Sequence, residues 1–324
     1  MRDLTILTGP TAVGKTDLSI KLAKKINTEI ISADSMQIYK GMDIGTAKVS
    51  QAERKEVKHH LLDFVSPEED YSVSKYQDDC DQAIKKIKNK NKIPLLVGGT
   101  HLYLRAVLEG FMLPDIEPDY ELRQSLEKLA DKKGTEAVHK ILAEKDKKTA
   151  DHLHPNDLRR VIRAIEIYQQ TGNKKSYYKK KQKERPPRYS AYKFALIRSR
   201  ENLYNRINKR VDNMLKNGLI EEVKALIDKY DNLSDTASQA LGYKEIISYL
   251  NGEIELEKAI YEIKKRSRHF AKRQLTWLRK EEELIVFDIE KAGKTDILET
   301  MDGLITGKID YKKEYNKRKN IDYW

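Results

Sequence analysis

Apolar residues along the chain fall into short continuous runs and longer runs with helical spacing. Short continuous runs are typical of strands buried on both faces of a parallel sheet, and amphipathic runs are typical of helices. The predicted strands lie at 2–8, 28–33, 93–97, 194–197 and 285–287, and amphipathic segments separate them. The repeated order of strand, helix and strand predicts an α/β fold whose parallel sheet is flanked by helices.

One long stretch contains no strand pattern. From 119 to 172 the spacing is helical, broken by turns at Gly134 and at His154-Pro155, with Asn156 as a predicted N-cap. Proline-bearing linkers lie on both sides. We therefore predict an all-helical insertion domain at 116–194, a core formed by 1–115 and 195–310, and a basic tail at 311–324.

Length and cysteine content limit the class of protein. The chain has 324 residues, enough for two domains, and its one cysteine excludes an internal disulfide framework. Cys80 lies in a helical pattern, which predicts a semi-buried thiol. No apolar run approaches membrane-spanning length and no signal-peptide pattern is present, so we expect a cytoplasmic protein.

The charge balance points to an anionic partner. The formal net charge is +12, from 63 basic and 51 acidic side chains, and 18 tyrosines offer stacking surfaces. The segment 174–193 contains nine Lys or Arg residues, interleaved tyrosines and a single acid, Glu184. It is either a solvated flexible linker or an arm that follows a nucleic-acid backbone.

Residues 9–16 have the spacing G-x-x-x-x-G-K-T of a phosphate-binding loop, between the first predicted strand and helix. Gly9 and Gly14 allow the backbone to curl so that successive N–H groups point inward, and the helix N-terminus adds a partial positive charge. Lys15 adds a full charge, and the Thr16 hydroxyl can hold Mg²⁺. The loop predicts a phosphate ligand without specifying which one.

Two further candidate residues directly follow predicted strands. Asp34 ends the strand run at 28–33, and Thr100 follows the run at 93–97. Parallel strands end on the same edge of a sheet, where ligands bind, so both side chains should face the phosphate-binding loop. The Asp34 carboxylate could accept a proton or hold magnesium, and the two roles are compatible. The Thr100 hydroxyl could orient a substrate.

Paired basic and paired histidine residues give weaker signals. Arg206 and Arg210 lie one helical turn apart, so they could clamp the outer oxygens of a diphosphate or form an ordinary surface pair. His59 and His60 are adjacent and point in different directions. Because no further Cys or His pattern accompanies them, we interpret them as structural.

Several blocks, in order and extending to about residue 280, together resemble the tRNA dimethylallyltransferase family. They are the loop at 9–16, the block at 34–48, Gly98-Gly99-Thr100, His154-Pro155-Asn156-Asp157, Gly242-Tyr243 and the block at 272–279. The sequences GMDIGTAK (41–48) and KRQLTWLR (272–279) are much more specific than the loop.

The resemblance implies a P-loop core with an inserted helical domain. It implies transfer of a dimethylallyl group from dimethylallyl diphosphate to N6 of the adenosine on the 3′ side of the anticodon. The loop then holds the diphosphate with Mg²⁺ as cofactor, in place of ATP. The implied partners are the tRNA anticodon stem-loop and dimethylallyl diphosphate, with no membrane and no obligate protein partner.

Site residues follow from these motifs. The candidate catalytic residues are Asp34 as general base, Thr100, Lys15, Arg206 and Arg210. The candidate diphosphate-binding residues are Gly9, Pro10, Thr11, Ala12, Val13, Gly14, Lys15 and Thr16, with Thr16 and Asp34 as magnesium ligands. The tRNA-binding residues implied by the resemblance are Asp34, Ser35, Met36, Gln37, Thr100, Arg123, Arg159, Arg160, Val161, Ile162, Arg163, Gln239, Ala240, Leu241, Gly242, Tyr243 and Lys244.

Three alternatives remain at this point. A P-loop small-molecule kinase would need a site for the ATP base and would make no use of 34–48. An adenylate isopentenyltransferase of cytokinin synthesis would share the loop and the chemistry but would not need a basic helical insertion. A non-enzymatic RNA-binding protein is disfavoured by the intact Lys15, Thr16 and Asp34.

Overall fold

The computed structural model describes residues 2–112, 114 and 116–318. The chain forms two compact units, one of Met1–Leu108 with Tyr189–Trp324 and the other of Glu109–Arg188. Residues 189–194, which the sequence placed in the insertion, therefore lie in the first unit. No helix in the described ranges is both long enough and apolar enough to cross a membrane.

The first unit is built on a six-stranded parallel sheet with strand order β3-β2-β4-β1-β5-β6. The strands are β1 (Leu4–Thr8), β2 (Ile30–Ser32), β3 (His59–His60), β4 (Leu95–Val97), β5 (Ala191–Ile197) and β6 (Leu284–Asp288). The predicted parallel α/β sheet is confirmed. Strand β3 was not predicted, because two histidines carry no apolar pattern. His60 Nε2 lies 2.7 Å from Glu29 Oε2, in a structural contact.

A helix follows each of the six strands, and the regular structure described in the second unit is entirely helical. They are α1 (Lys15–Lys25), α2 (Gln51–Glu56), α3 (Val73–Lys88), α4 (His101–Glu109), α5 (Tyr120–Lys133), α6 (Thr135–Lys145), α7 (Lys147–Ala150), α8 (Leu158–Thr171), α9 (Lys175–Lys183), α10 (Arg200–Lys216), α11 (Leu219–Lys229), α12 (Asp235–Ser238), α13 (Tyr243–Leu250), α14 (Leu256–Leu278), α15 (Lys294–Ile305) and α16 (Tyr311–Arg318).

Apolar clusters cover both faces of the sheet. Ile31 of β2 and Leu96 of β4 belong to one cluster, whereas their neighbours Ile30 and Leu95 belong to the other. Successive strand residues point to opposite faces, so a sheet covered on both sides needs continuous apolar runs. Cys80 lies in the first cluster and is fully buried, not semi-buried.

The second unit has its own apolar core, formed by residues of α5, α6 and α8 such as Leu126, Leu142 and Ile165. The predicted N-cap of α8 is wrong: the capping position belongs to Asp157, and Asn156 Oδ1 instead accepts a hydrogen bond from Thr135 Oγ1 at 3.0 Å. The basic segment 174–193 begins with helix α9, so its first part is not a flexible linker.

The predicted basic tail needs a similar correction. Residues 311–318 form α16, which packs against β6, and Tyr311 Oη donates to the Glu283 carbonyl at 2.8 Å. Glu314 on the same helix is buried. This part of the segment belongs to the core of the first unit. Residues 319–324 lie outside the described residues.

Candidate active site

The phosphate-binding loop joins β1 to α1 and depends on its two glycines. Gly9 and Gly14 have φ values of 145° and 110°, which side-chain-bearing residues rarely adopt. A Cβ on Gly9 would also lie 2.6 Å from the Leu196 carbonyl oxygen of the neighbouring strand. The glycines therefore let the loop curl tightly against β5 and lead directly into the start of α1, whose N-terminus carries a partial positive charge.

Lys15 lies over this loop. Its Nζ donates to the carbonyl oxygens of Gly9 and Pro10, both at 2.9 Å. Burial and, to a smaller extent, nearby Arg210 lower the pKa of Lys15 to about 8, whereas Asp34 opposes the shift. An ammonium held at such an energetic cost is stabilised by an anion, so Lys15 is suited to bind phosphate oxygens.

Asp34 and Thr100 meet at the same edge of the sheet, as predicted. The Asp34 Oδ1 atom accepts hydrogen bonds from the N–H groups of Met36 (3.0 Å) and Gln37 (3.3 Å). Thr100 Oγ1 accepts a bond from the Ser35 N–H at 3.1 Å. One carboxylate oxygen is thereby fixed by the backbone, and the hydroxyl of Thr100 is tied to the residue after Asp34.

Several of these residues line one cleft beside the loop. The ends of β2 and β4 approach closely, since a Cβ on Gly98 would lie 2.0 Å from the Ala33 carbonyl oxygen. The cleft is lined by Lys15, Thr16, Ser19, Ile30, Ser32, Asp34, Gln37, Val49, His59, Leu62, Val97 and Gly98. A cationic group and a carboxylate thus face the same space.

The two arginines of α10 point to the site but reach it through the backbone. Arg206 Nε donates to the Ala12 carbonyl at 2.8 Å, and Arg210 donates to the Thr46 carbonyl at 3.1 Å. Burial lowers the pKa of Arg210, Asp34 opposes this shift, and Arg206 adds to it. Arg198, which the sequence reading missed, donates to the Val13 carbonyl at 2.9 Å.

Gln274 of α14 joins two parts of the site and was also missed. Its buried amide donates to the Gly99 carbonyl at 2.9 Å and accepts the Thr11 N–H at 2.8 Å. One side chain therefore fixes the phosphate-binding loop relative to the turn that carries Thr100. It belongs to the block at 272–279, and that block was the only sequence signal for it.

A second missed residue, Glu222 of α11, holds the loop that follows Asp34. Its carboxylate accepts the N–H groups of Asp43 (3.0 Å), Ile44 (2.7 Å) and Gly45 (3.1 Å). It also accepts the Tyr243 hydroxyl at 2.6 Å. The carbonyl oxygen of the next residue, Thr46, accepts hydrogen bonds from Arg210 and from Gln37 Nε2, the latter at 3.2 Å. Glu222 therefore acts on the cleft indirectly: it holds the loop at 43–45, and the adjoining Thr46 carbonyl bonds to Gln37, which lines the cleft.

The stretch 239–244 is only partly suited to the RNA contact predicted for it. Ala240, Gly242 and Tyr243 are buried, whereas Gln239 is exposed and Leu241 and Lys244 are partly so. The Tyr243 ring packs against Gly45, where an added Cβ would lie 2.4 Å from the ring. Tyr243 supports the 43–45 loop and is not an exposed RNA contact.

The predicted RNA contacts on the helical unit also include both buried and exposed residues. Val161 and Ile162 are buried in its apolar core, whereas Arg159 and Arg160 are exposed. Arg123 and Arg163 both bind the fully buried carboxylate of Glu166, the former at 2.8 and 3.0 Å. These two arginines therefore have a structural role that the sequence did not reveal.

Comparison with known proteins gives a consistent result. The IPP transferase family model matches residues 37–281. Proteins named tRNA dimethylallyltransferase from Halothermothrix orenii and Carboxydothermus hydrogenoformans are 50% and 48% identical, over 98% and 94% of this chain and 92% and 96% of their own.

Solved structures agree with the sequence relatives. A full-length tRNA isopentenylpyrophosphate transferase from Bacillus halodurans is 42% identical with a TM-score of 0.71, over 98% of this chain and 99% of its own. A eukaryotic dimethylallyltransferase acting on tRNA is 29% identical with a TM-score of 0.80, over 100% of this chain and 87% of its own. With the family model covering most of the chain, the protein belongs to the IPP transferase family.

Proposed function

We propose that the protein transfers the dimethylallyl group of dimethylallyl diphosphate to N6 of the adenosine 3′-adjacent to the anticodon of tRNA, in the cytoplasm. The observation that carries this proposal is the convergence of a cationic phosphate-binding loop with Asp34 at one sheet edge. An anionic leaving group and a proton acceptor are the two requirements of this transfer. The names of the relatives support the identity of both substrates.

The diphosphate side of the reaction falls to the loop. Its N–H groups, Lys15 and the arginines Arg206 and Arg210 place positive charge where the leaving group would develop negative charge. The bond between C1 of the dimethylallyl group and the diphosphate oxygen breaks, and the electron pair leaves with the diphosphate. Loss of one such stabilising contact costs about 2.7–4 kcal/mol in comparable sites.

The acceptor side falls to Asp34. The N6 amine is a poor nucleophile because its lone pair is delocalised into the adenine ring. As N6 forms its bond to C1, its proton passes to the Asp34 carboxylate. Thr100 helps to position Asp34 at the sheet edge, because its hydroxyl accepts the N–H of the next residue, Ser35. Taking the adenine out of its stack costs little in a single-stranded loop.

The site fits a magnesium ion that is coordinated by only a few protein groups. The described residues contain no cluster of three or more His, Cys, Asp or Glu side chains suited to a metal. Mg²⁺ usually binds one or two protein oxygens together with phosphate and water. Thr16 and Asp34 line the same cleft and would hold it, and when bound it would neutralise charge on the diphosphate.

The direct test is incubation with labelled dimethylallyl diphosphate and unmodified tRNA. Label should enter the RNA at the adenosine beside the anticodon. Asp34→Asn should reduce transfer by at least 100-fold, the lower range of general-base effects of about 10²–10⁴, with RNA affinity retained. Label entering AMP in preference to tRNA would support the adenylate isopentenyltransferase instead, and absence of label from both would refute the proposal.

Lys15 predicts a pH dependence of diphosphate binding. Its lowered pKa of about 8 means that the binding ammonium form is lost as pH rises above that value. The dissociation constant of dimethylallyl diphosphate should therefore increase by up to about tenfold per pH unit above 8. Calorimetric titrations between pH 7 and 9.5 measure this. Lys15→Gln should bind weakly and show no such step; an identical pH profile in that variant would contradict the assignment.

The position of Glu222 predicts that its substitution lowers kcat/KM although its side chain does not line the cleft. Glu222→Gln places an amide N–H₂ against backbone N–H donors and should loosen the 43–46 loop. Losing hydrogen bonds of this charged kind costs about 1.5–3 kcal/mol, which corresponds to about 10- to 150-fold in kcat/KM. Tyr243→Phe should have a smaller effect. The exposed neighbour Glu221→Gln is the matched control; equal kinetics for Glu221→Gln and Glu222→Gln would exclude the positioning role.

A further inference from the structure

The helical unit holds its basic helix α9 in a defined position. Gly172 ends α8 with a φ of 68°, which turns the chain back within a few residues. At the start of α9, Ser176 donates twice to the buried carboxylate of Asp146, from N at 2.9 Å and from Oγ at 2.7 Å. Helix α9 packs against both α7 and α8. Lys175 is therefore fixed next to the first turns of α8.

Lys175 lies among like charges. Its electrostatic neighbours are Arg160, Arg163 and Lys179, together with the acid Asp157. Lys175 is partly buried, and among the described residues its side-chain ammonium has no hydrogen-bond or ion-pair partner. It differs in this from the arginines beside it.

The acids nearby are already occupied. Asp157 binds Arg160 at 3.1 Å, and Glu166 binds both Arg123 and Arg163. The buried carboxylate of Asp146 is likewise occupied, by Ser176 and Thr149. Burial lowers the pKa of Lys175, and Arg160 and Arg163 lower it further. An anion bound beside Lys175 would relieve this repulsion.

We infer that Arg160, Lys175 and Lys179 form a binding site for a phosphate group of the RNA backbone. The inference rests on the proposed function, because that function makes tRNA the acceptor. A phosphate offers acceptor oxygens to the guanidinium and both ammonium groups at once. It would supply the counter-charge that the protein lacks.

RNA fits better than a small anion because the positive charge continues along α9. Lys180, Lys181 and Lys183 follow on the same helix, and Lys181 Nζ lies 4.8 Å from the centre of the exposed Tyr177 ring. A row of cations with an aromatic ring matches a repeating phosphate backbone. In this proposal Lys175 is a fixed contact on a packed helix and not part of a flexible arm.

The test compares Lys175→Met with Lys140→Met, an exposed lysine on α6 that removes the same charge. Binding of an unmodified tRNA anticodon stem-loop is measured from 50 to 300 mM salt. Lys175→Met should reduce the slope of log K against log salt by about 0.7–0.9, equivalent to one phosphate contact. Its thermal midpoint should not fall, because a repulsive charge has been removed. Lys140→Met should leave the slope unchanged.

Chemical labelling gives an independent readout. The bound stem-loop should slow acylation of Lys175 by an amine-acylating reagent at pH 8 and should not slow acylation of Lys140. Equal slopes for the two variants, with Lys175 unprotected by RNA, would overturn the site even if wild-type protein modifies tRNA. Protection by inorganic phosphate but not by RNA would assign the cluster to a small anion. Absence of dimethylallyl transfer by the wild type would refute the proposed function separately.

Discussion

The structure depends on an excess of positive charge at one edge of a parallel sheet. Lys15 and Thr16 of the phosphate-binding loop line a cleft that also contains the Asp34 carboxylate, and the α10 arginines contact the backbone at Ala12 and Thr46. Burial of Lys15 and Arg210 is costly, as the lowered pKa values of these two side chains show. A fold that retains such a cost is organised around an anionic ligand, and the same physical argument applies to Lys175 on the helical unit.

Polar residues that are distant in the sequence from the cleft residues keep this edge in place. Gln274 connects the loop to the turn at Gly99, and Glu222 gathers three consecutive N–H groups of the block after Asp34. Each acts on backbone groups, so each controls where a loop lies and leaves the side chains at the cleft available. Because these loops are already held in place, their backbone dipoles can stabilise the charge that develops in the transition state without first having to move.

Much of this was predictable from local patterns. The loop at 9–16 and the strand runs before Asp34 and Thr100 place those residues on one edge, because parallel strands end together. Glu222, Gln274 and Glu166 could not be predicted, because their partners lie far away along the chain: Glu222 is 177–179 residues from the N–H groups it accepts. Tyr243 and Ile162 were predicted to contact RNA because they lie in sequence blocks that match the family, but both are buried. A matching block does not show whether a residue contacts RNA or supports the residues that do.

The most direct measurement compares two ligands for the loop at 9–16. Calorimetric titration with dimethylallyl diphosphate and with ATP, each with Mg²⁺, should be carried out on the wild type and on Lys15→Ala. Binding of dimethylallyl diphosphate that is lost in the variant, without release of phosphate from ATP, is the result expected if the loop holds a leaving diphosphate. Preferential binding of ATP with turnover of its γ-phosphate would contradict it.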